Sequence, residues 1–289
     1  MENPPDFMAL WDYQDPVATA QRFDALLPAA RADQNLQLEL ELLTQIARTH
    51  ALQHQPEQAR QTLDDVEKRL TGATPRARVR LHIERGRLFH AAGDQSQAKA
   101  QFEQAWQQGL KSKELYLAID AAQMVAMTVP PPEQSRWHQL GMELAERSPD
   151  ERVRSWLPAI YHNLGWTLFE LGRFEEAKAL QQKCLSWHEA HQEQGKAFIA
   201  RWSLARLSRA MGLHQQAMAE LTQLKADMSD AGAAEDGDLF EELGENALAL
   251  DDPAAAEYFA RAWFLLSRDS WSKSHEAERL ARLKRLAKL

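Results

Sequence analysis

The stretch YHNLGWTLFELGRFEEA, residues 161–177, contains the small residues Gly165 and Ala177 on either side of Gly172. The same three positions recur along the chain. The copies are Ala47, His54, Ala59; Gly86, Gly93, Ala98; Gly165, Gly172, Ala177; Ala205, Gly212, Ala217; and Gly244, Asp251, Ala256. First positions lie 39 or 40 residues apart, except for a gap of 79 that leaves room for a sixth, degenerate copy between residues 100 and 160. A fixed period of this size predicts an array of stacked structural repeats.

Each copy is interpreted as two helices joined by a turn. Small first and third residues allow two helix backbones to approach closely, and the second residue lies where the first helix must end. Further residues follow four and seven positions after the third one, a spacing that places both on one helix face. They are Leu63 and Val66, Phe102 and Ala105, Gln181 and Cys184, Leu221 and Leu224, and Ala260 and Trp263.

On these residues the chain resembles the tetratricopeptide repeat family, whose pattern is matched by Tyr161, Leu164, Gly165, Gly172, Phe174 and Ala177. The resemblance covers about residues 38–268. It implies an all-α fold, a right-handed α-solenoid of about six antiparallel helix pairs with capping helices at both ends. The family's period is about 34 residues, so longer helices are expected here, and a period of 39 to 40 residues also borders that of HEAT repeats.

We expect three segments along the chain. Residues 1–37 comprise a segment that is loose up to residue 14 and a capping helix that begins at Asp15 and Pro16. Residues 38–268 form the repeat array with one continuous core. Residues 269–289 form a C-terminal capping helix whose acidic start and basic end complement the helix dipole. A basic amphipathic helix for a membrane or nucleic acid is the alternative for this last segment.

Composition limits the class of partner. The chain has 34 Lys and Arg against 42 Asp and Glu, a net charge of −8, which argues against nucleic acid as the main ligand. No run of 18 apolar residues is present and residues 1–14 lack the features of an export signal, so we expect no membrane partner and a cytoplasmic location. The single cysteine, Cys184, fits a reducing compartment and is interpreted as a buried thiol.

The resemblance also implies which residues line a groove, because the first helix of each pair faces the concave side of such arrays. The partner-binding positions selected in this way include Arg48, Arg87, His90, His162, Trp166, Trp202, Arg206 and Arg209, together with Phe169, Glu241 and Glu245. Arginine forks bind carboxylates and tryptophan rings supply contact area, so we predict a protein or peptide partner, an acidic one included. The alternative is that the arginines form solvated helix faces and the tryptophans pack in the core.

Catalytic and metal-binding patterns are weak. The chain contains no glycine-rich phosphate loop and no nucleophile elbow. His50 and His54 are four residues apart and His188 and His191 three apart, yet neither pair has the HExxH sequence or a third ligand. We therefore expect no enzymatic activity, no cofactor and no metal.

The leading functional hypothesis is a non-catalytic interaction scaffold or adaptor. It would bind a peptide or helix of a partner protein in a concave groove that is basic and aromatic. One alternative is a regulatory protein that senses a ligand or a signal peptide. Another is a self-assembling structural protein, and the oligomeric state is left open, a homodimer included.

Overall fold

Helices make up the regular structure of the chain, of which a computed structural model describes residues 7–289. No strand occurs in that range, and a short 3-10 helix covers Phe7–Leu10. The α-helices are α1 (Pro16–Ala32), α2 (Leu36–Leu52), α3 (Pro56–Arg69), α4 (Pro75–Ala91), α5 (Gln95–Ser112), α6 (Leu115–Ala126), α7 (Pro131–Glu146), α8 (Glu151–Arg154), α9 (Leu157–Glu170), α10 (Phe174–Ala190), α11 (Gln194–Ala210), α12 (His214–Asp230), α13 (Gly237–Ala249), α14 (Ala255–Leu266), α15 (Ser270–His275) and α16 (Ala277–Leu286). The predicted all-α repeat fold is confirmed.

The chain divides into two compact units, Met1–Ile160 and Tyr161–Leu289. In the first unit, α2 to α7 form three successive helix pairs, preceded by α1 and followed by α8. In the second unit, the part of α9 from Tyr161 onward pairs with α10, and α11 to α14 form two more pairs before α15 and α16. The degenerate copy corresponds to α6 and α7, between residues 100 and 160 as predicted. The expected segment boundaries after residues 37 and 268 stay a prediction.

The second residue of each repeat copy follows the end of a first helix. Gly93, Gly172 and Gly212 have φ angles of 82°, 72° and 77°. His54 and Asp251 adopt the same left-handed conformation, with φ angles of 60° and 56°. This conformation ends a helix at low cost in glycine and at a higher cost in a residue with a Cβ atom. The predicted turns are confirmed in all five copies.

The glycines at the first repeat position lie directly against a large side chain of the second helix. A Cβ atom on Gly86 would overlap the ring of Phe102, and one on Gly244 would lie 2.8 Å from the ring of Phe259. Both rings are only 1% exposed. Glycine therefore lets the two helices of a pair approach over a phenylalanine.

Repeats with alanine at the first position carry leucine at the facing position. Ala47 and Leu63 belong to one buried cluster, and Ala205 and Leu221 belong to another. In these four copies the two positions are matched in size, since the larger first residue is accompanied by the smaller second one, whereas Gly165 faces Gln181. This matching keeps the core of each pair filled at the density that protein interiors require.

The last copy differs from the prediction by one residue. Its buried residues are Ala255, Phe259 and Ala262, whereas Ala256, Ala260 and Trp263 were expected on the buried face. The Ala255 N–H donates to Asp252 O, three residues back, whereas the corresponding alanines of the other four copies donate to the residue four back. Because this turn is tighter, the buried face of α14 begins one residue earlier in the sequence.

Residues 7–14 differ from the loose segment that the sequence predicts; residues 1–6, covered by the same prediction, lie outside the described residues. Phe7 is buried in a cluster with Phe23, and the ring of Trp11 lies 5.5 Å from that of Phe23. The α1 helix then begins as expected, because an Asp15 carboxylate oxygen accepts from Ala18 N at 2.9 Å.

The C-terminal helix α16 packs against α14 within the second unit. Leu283 is fully buried and Ala287 is 9% exposed, both in the cluster that contains Phe259, while Leu280 is half-buried. These three residues form an apolar stripe along the helix. The stripe covers the end of the last helix pair, as terminal elements of repeat arrays must.

Buried His138 on α7 predicts loss of stability in mild acid. Burial lowers the pKa of His138 from its ordinary value of 6.5 to about 4, and Nδ1 has no hydrogen-bond partner. Below about pH 6.5 this histidine is protonated in the unfolded chain but stays neutral in the folded chain. The free energy of unfolding therefore falls as the pH drops from 6.5 to 4, by about 3 kcal/mol at most. Urea unfolding across this range checks it. His138→Leu is expected to have a flatter profile than the wild type, and parallel profiles would contradict the assignment.

Candidate functional site

The predicted groove residues are divided between the two units. Arg48, Arg87 and His90 belong to the first unit, on α2 and α4. The second unit contains His162 and Trp166 on α9 and Trp202, Arg206 and Arg209 on α11. Each group is described within its own unit.

In the second unit, Arg206 lies among three aromatic rings. Its guanidinium carbon is 5.1 Å from the centroid of Trp166, 5.3 Å from that of Trp202 and 5.8 Å from that of Phe169. The Trp166 and Trp202 rings are themselves 5.8 Å apart. Aromatic faces attract a guanidinium electrostatically, so these rings hold Arg206 in one place. We call Arg206, Trp166, Phe169 and Trp202 the arginine cage.

The donors of the arginine cage are mostly unused. Glu242 Oε1 lies 3.5 Å from Arg206 Nε without hydrogen-bond geometry, and Arg206 makes no hydrogen bond to another described residue. Its side chain remains 37% exposed. Trp202 Nε1 is also buried without a hydrogen-bond partner. An acceptor brought to the cage would therefore gain hydrogen bonds without first breaking any between described side chains.

Arg209 is committed to a partner within the chain. Its Nε and Nη2 atoms donate to the two carboxylate oxygens of Glu242 at 2.6 and 3.0 Å. Burial disfavours the charged form of Arg209, but the hydrogen bond and the charge of Glu242 outweigh burial and raise its pKa. Arg209 therefore fixes the carboxylate beside the arginine cage and is not free to bind a second anion in the same geometry.

A cavity of about 430 Å³ opens beside the cage between α11, α13 and α16. Its lining comprises Trp202 and four arginines, Arg206, Arg209, Arg279 and Arg282, with five carboxylates, Asp238, Glu241, Glu242, Glu245 and Glu276. Arg279 binds Asp238 and Glu241, and Arg282 binds Glu245. The lining carries five carboxylates against four arginines, and the prediction that this part of the groove is basic is wrong, because carboxylates of α13 pair with the arginines.

Arginines of the first unit are paired in the same way. Arg87 donates to Glu84 at 2.6 Å and to Asp120 at 3.0 Å. Burial opposes the charge of Arg87, but these two carboxylates hold its pKa above the ordinary value. Arg48 lies 3.9 Å from the same Glu84. A cavity of about 170 Å³ lies beside Arg48 and Arg87, with Ala47, Ala51, Leu52, Leu63, Leu88 and Ala91 in its wall.

Histidines at the predicted positions have local roles. His90 Nδ1 lies 2.9 Å from Gln95 Oε1, and burial lowers the pKa of His162, whose ring packs at 6.2 Å from Trp166. Of the two spaced pairs, His188 Nδ1 contacts a Glu193 carboxylate at 2.7 Å, and His191 stacks on Trp187.

Other sequence interpretations concern single groups. Cys184 is buried as predicted, and burial raises the pKa of its thiol to about 11. Over residues 7–289, no group of three or more His, Cys, Asp or Glu side chains is arranged to hold a metal ion. In the same range, no helix combines the length and the apolar character needed to cross a bilayer.

Comparison with known proteins agrees with the fold. Residues 159–191 match the family model described as tetratricopeptide repeat. No curated protein sequence matches the chain significantly.

Three solved structures resemble this chain over most of its length. BtubC (BKLC) from P. vanneervenii is 15% identical with a TM-score of 0.62, over 78% of this chain and 94% of that one. The apo form of RapI is 10% identical with a TM-score of 0.69, over 91% and 77%. A STAND protein with a tetratricopeptide repeat sensor, PH0952 from Pyrococcus horikoshii, is 12% identical with a TM-score of 0.65, over 93% and 44%. At these identities the likeness shows the fold alone.

Proposed function

We propose that this tetratricopeptide-repeat chain is a non-catalytic protein-interaction module that binds a segment of a partner protein at the arginine cage of its second unit. The observation that carries the proposal is Arg206, which three aromatic rings hold in place while its hydrogen-bond donors stay unused. A preorganised arginine between tryptophans is typical of the residues that dominate binding energy at interfaces.

The geometry favours a partner with mixed chemistry. The partner places a carboxylate or a main-chain carbonyl on Arg206 and apolar side chains on Trp166 and Trp202. The cavity beside the cage is lined by five carboxylates, of which Glu241 and Glu245 already pair with Arg279 and Arg282, so its surface has a mixed charge. A uniformly acidic peptide would meet these carboxylates, so a peptide with an acidic and a basic group side by side fits better.

Replacement of Arg206 by alanine is expected to reduce partner binding at least about tenfold, as for a central interface residue. The matched control is Arg201→Ala, because Arg201 lies on the same helix but pairs with Asp227 at 2.6 Å on another face. Wild type and both variants would be used as bait in cell lysate, with bound proteins quantified by mass spectrometry. A partner recovered by wild type and Arg201→Ala and lost with Arg206→Ala supports the proposal.

Salt provides a second measurement on the same partner. Binding through a partly exposed guanidinium weakens as ionic strength rises, because ions screen the charges. Equal recovery with wild type and Arg206→Ala, or an affinity that is independent of salt, would place the binding site elsewhere.

A further inference from the structure

Residues 7–13 lie across the repeat helices of the first unit and end in two stacked rings. The rings of Trp11 and Tyr13 are 4.8 Å apart, with Arg48 of α2 over both, at 5.4 and 5.3 Å from their centroids. Trp11 Nε1 also donates to Gln45 Oε1 of α2 at 3.1 Å. Arg48 and Gln45 are thus bound by aromatic side chains of the same chain.

The start of this segment contacts a second arginine. The Phe7 ring lies 5.4 Å from the guanidinium carbon of Arg80 on α4, and it meets Phe23 of α1 edge to face at 5.9 Å. Arg80 is itself paired with Glu41 at 2.9 Å, and both side chains are more than nine-tenths buried. The segment therefore covers a charged surface formed by α2 and α4.

Backbone hydrogen bonds attach the segment to α1, in addition to the packing of Phe7 and Trp11 on Phe23. Asp12 N and Asp12 O both bond to the Thr19 hydroxyl at 3.0 Å, and Arg22 donates to Leu10 O at 3.1 Å. Tyr13 is 56% exposed although it stacks on Arg48. An exposed aromatic side chain on an arginine is typical of an interface rather than of a core.

The groups beneath the segment are also held by contacts between α2 and α4. Buried Glu84 accepts from Gln45 Nε2 at 3.3 Å and from Arg87 at 2.6 Å, and lies 3.9 Å from Arg48. These contacts fix Gln45 and orient Arg48, so another aromatic segment would meet the same groups in the same positions.

We propose that the surface formed by Arg48 and Gln45 is a binding site for a partner segment with aromatic side chains, and that Trp11 and Tyr13 occupy it in cis, while Phe7 stays buried on Arg80. The partner carries two aromatic residues spaced as Trp11 and Tyr13 are, and its rings replace these on Arg48. This site is separate from the arginine cage and does not depend on it. Because the cis segment is joined directly to α1, its effective concentration is high, and binding in trans to the wild type is weak.

The test uses a fluorescein-labelled peptide with the sequence of residues 7–14, FMALWDYQ. Its anisotropy is measured with the wild type and with a Trp11→Ala, Tyr13→Ala variant, in which Phe7 is kept so that the buried ring still supports folding. The variant is expected to bind the peptide at least about tenfold more tightly than the wild type does, and circular dichroism confirms that it is folded.

Three comparisons assign the binding to the surface. Arg48→Ala in the same variant is expected to weaken the affinity for the peptide at least about tenfold. Arg60→Ala, which replaces a 58% exposed arginine on α3, is expected to leave that affinity unchanged. A peptide with alanine in place of Trp11 and Tyr13 is expected not to bind. Equal binding to wild type and variant, no binding to the folded variant, or an affinity insensitive to Arg48→Ala would overturn the proposal.

Discussion

Glu41→Ala is expected to lower the free energy of unfolding by about 3–5 kcal/mol. Glu41 is 3% exposed and accepts from Arg80 Nε at 2.9 Å and from Gln37 Nε2 at 2.6 Å. Arg80 is 6% exposed, and among the described residues Glu41 alone accepts a hydrogen bond from it. Removing the carboxylate leaves a buried guanidinium without an anion, which costs far more than the pair itself contributes. Urea unfolding followed by circular dichroism measures the loss.

The control is an ion pair on the surface. Glu57 and Arg60 on α3 are 3.0 Å apart but 69% and 58% exposed, so Glu57→Ala is expected to cost about 0–1 kcal/mol. A Glu41→Leu, Arg80→Met double variant removes both charges and is expected to recover most of the loss. If Glu41→Ala were as mild as Glu57→Ala, the carboxylate of Glu41 would not be needed to keep the Arg80 guanidinium buried.

Phe102→Ala is expected to cost about 3–5 kcal/mol, since the ring is 1% exposed and a cavity would remain between α4 and α5. The opposite change, Gly86→Ala, places a methyl group in the space of the ring and is expected to cost about 1–3 kcal/mol. Both losses are measured by urea unfolding.

Combining Gly86→Ala with Phe102→Leu reproduces the alanine and leucine pairing of two other repeats, Ala47 with Leu63 and Ala205 with Leu221. This double variant is expected to be more stable than Gly86→Ala alone, because the smaller side chain makes room for the methyl group. If the effects of Gly86→Ala and Phe102→Leu on the free energy of unfolding simply added, the two residues would not be matched in size.

The candidate site could be predicted in part from the sequence. Position in the repeat selected Arg206, Trp166 and Trp202, which the structure brings together. Glu242 was not selected, although it neutralises Arg209 and stands beside the arginine cage. Its neighbours Glu241 and Glu245 were selected, because the groove positions were chosen at fixed offsets along each first helix. The carboxylate that pairs with an arginine depends instead on how the next helix packs.

The segment 7–13 was also misjudged from sequence. Three aromatic residues in seven, Phe7, Trp11 and Tyr13, were the available signal for contact with the array, but the segment has neither helical period nor repeat pattern. Its place on Arg48 and Arg80 depends on groups from α2 and α4 that are far apart in sequence.

The sequence by itself determined the repeat, the helix pairs and the turns of this protein. Small residues recur with a period of 39 to 40, and a residue that adopts positive φ follows each first helix. These features are local, because residues close in sequence specify them. Only the tertiary structure decided which arginines are neutralised, which one keeps its donors and which surface residues 7–13 cover. Those outcomes depend on distances between side chains of different helices, and a shift of a few ångströms there decides whether an arginine meets a carboxylate, a ring or solvent.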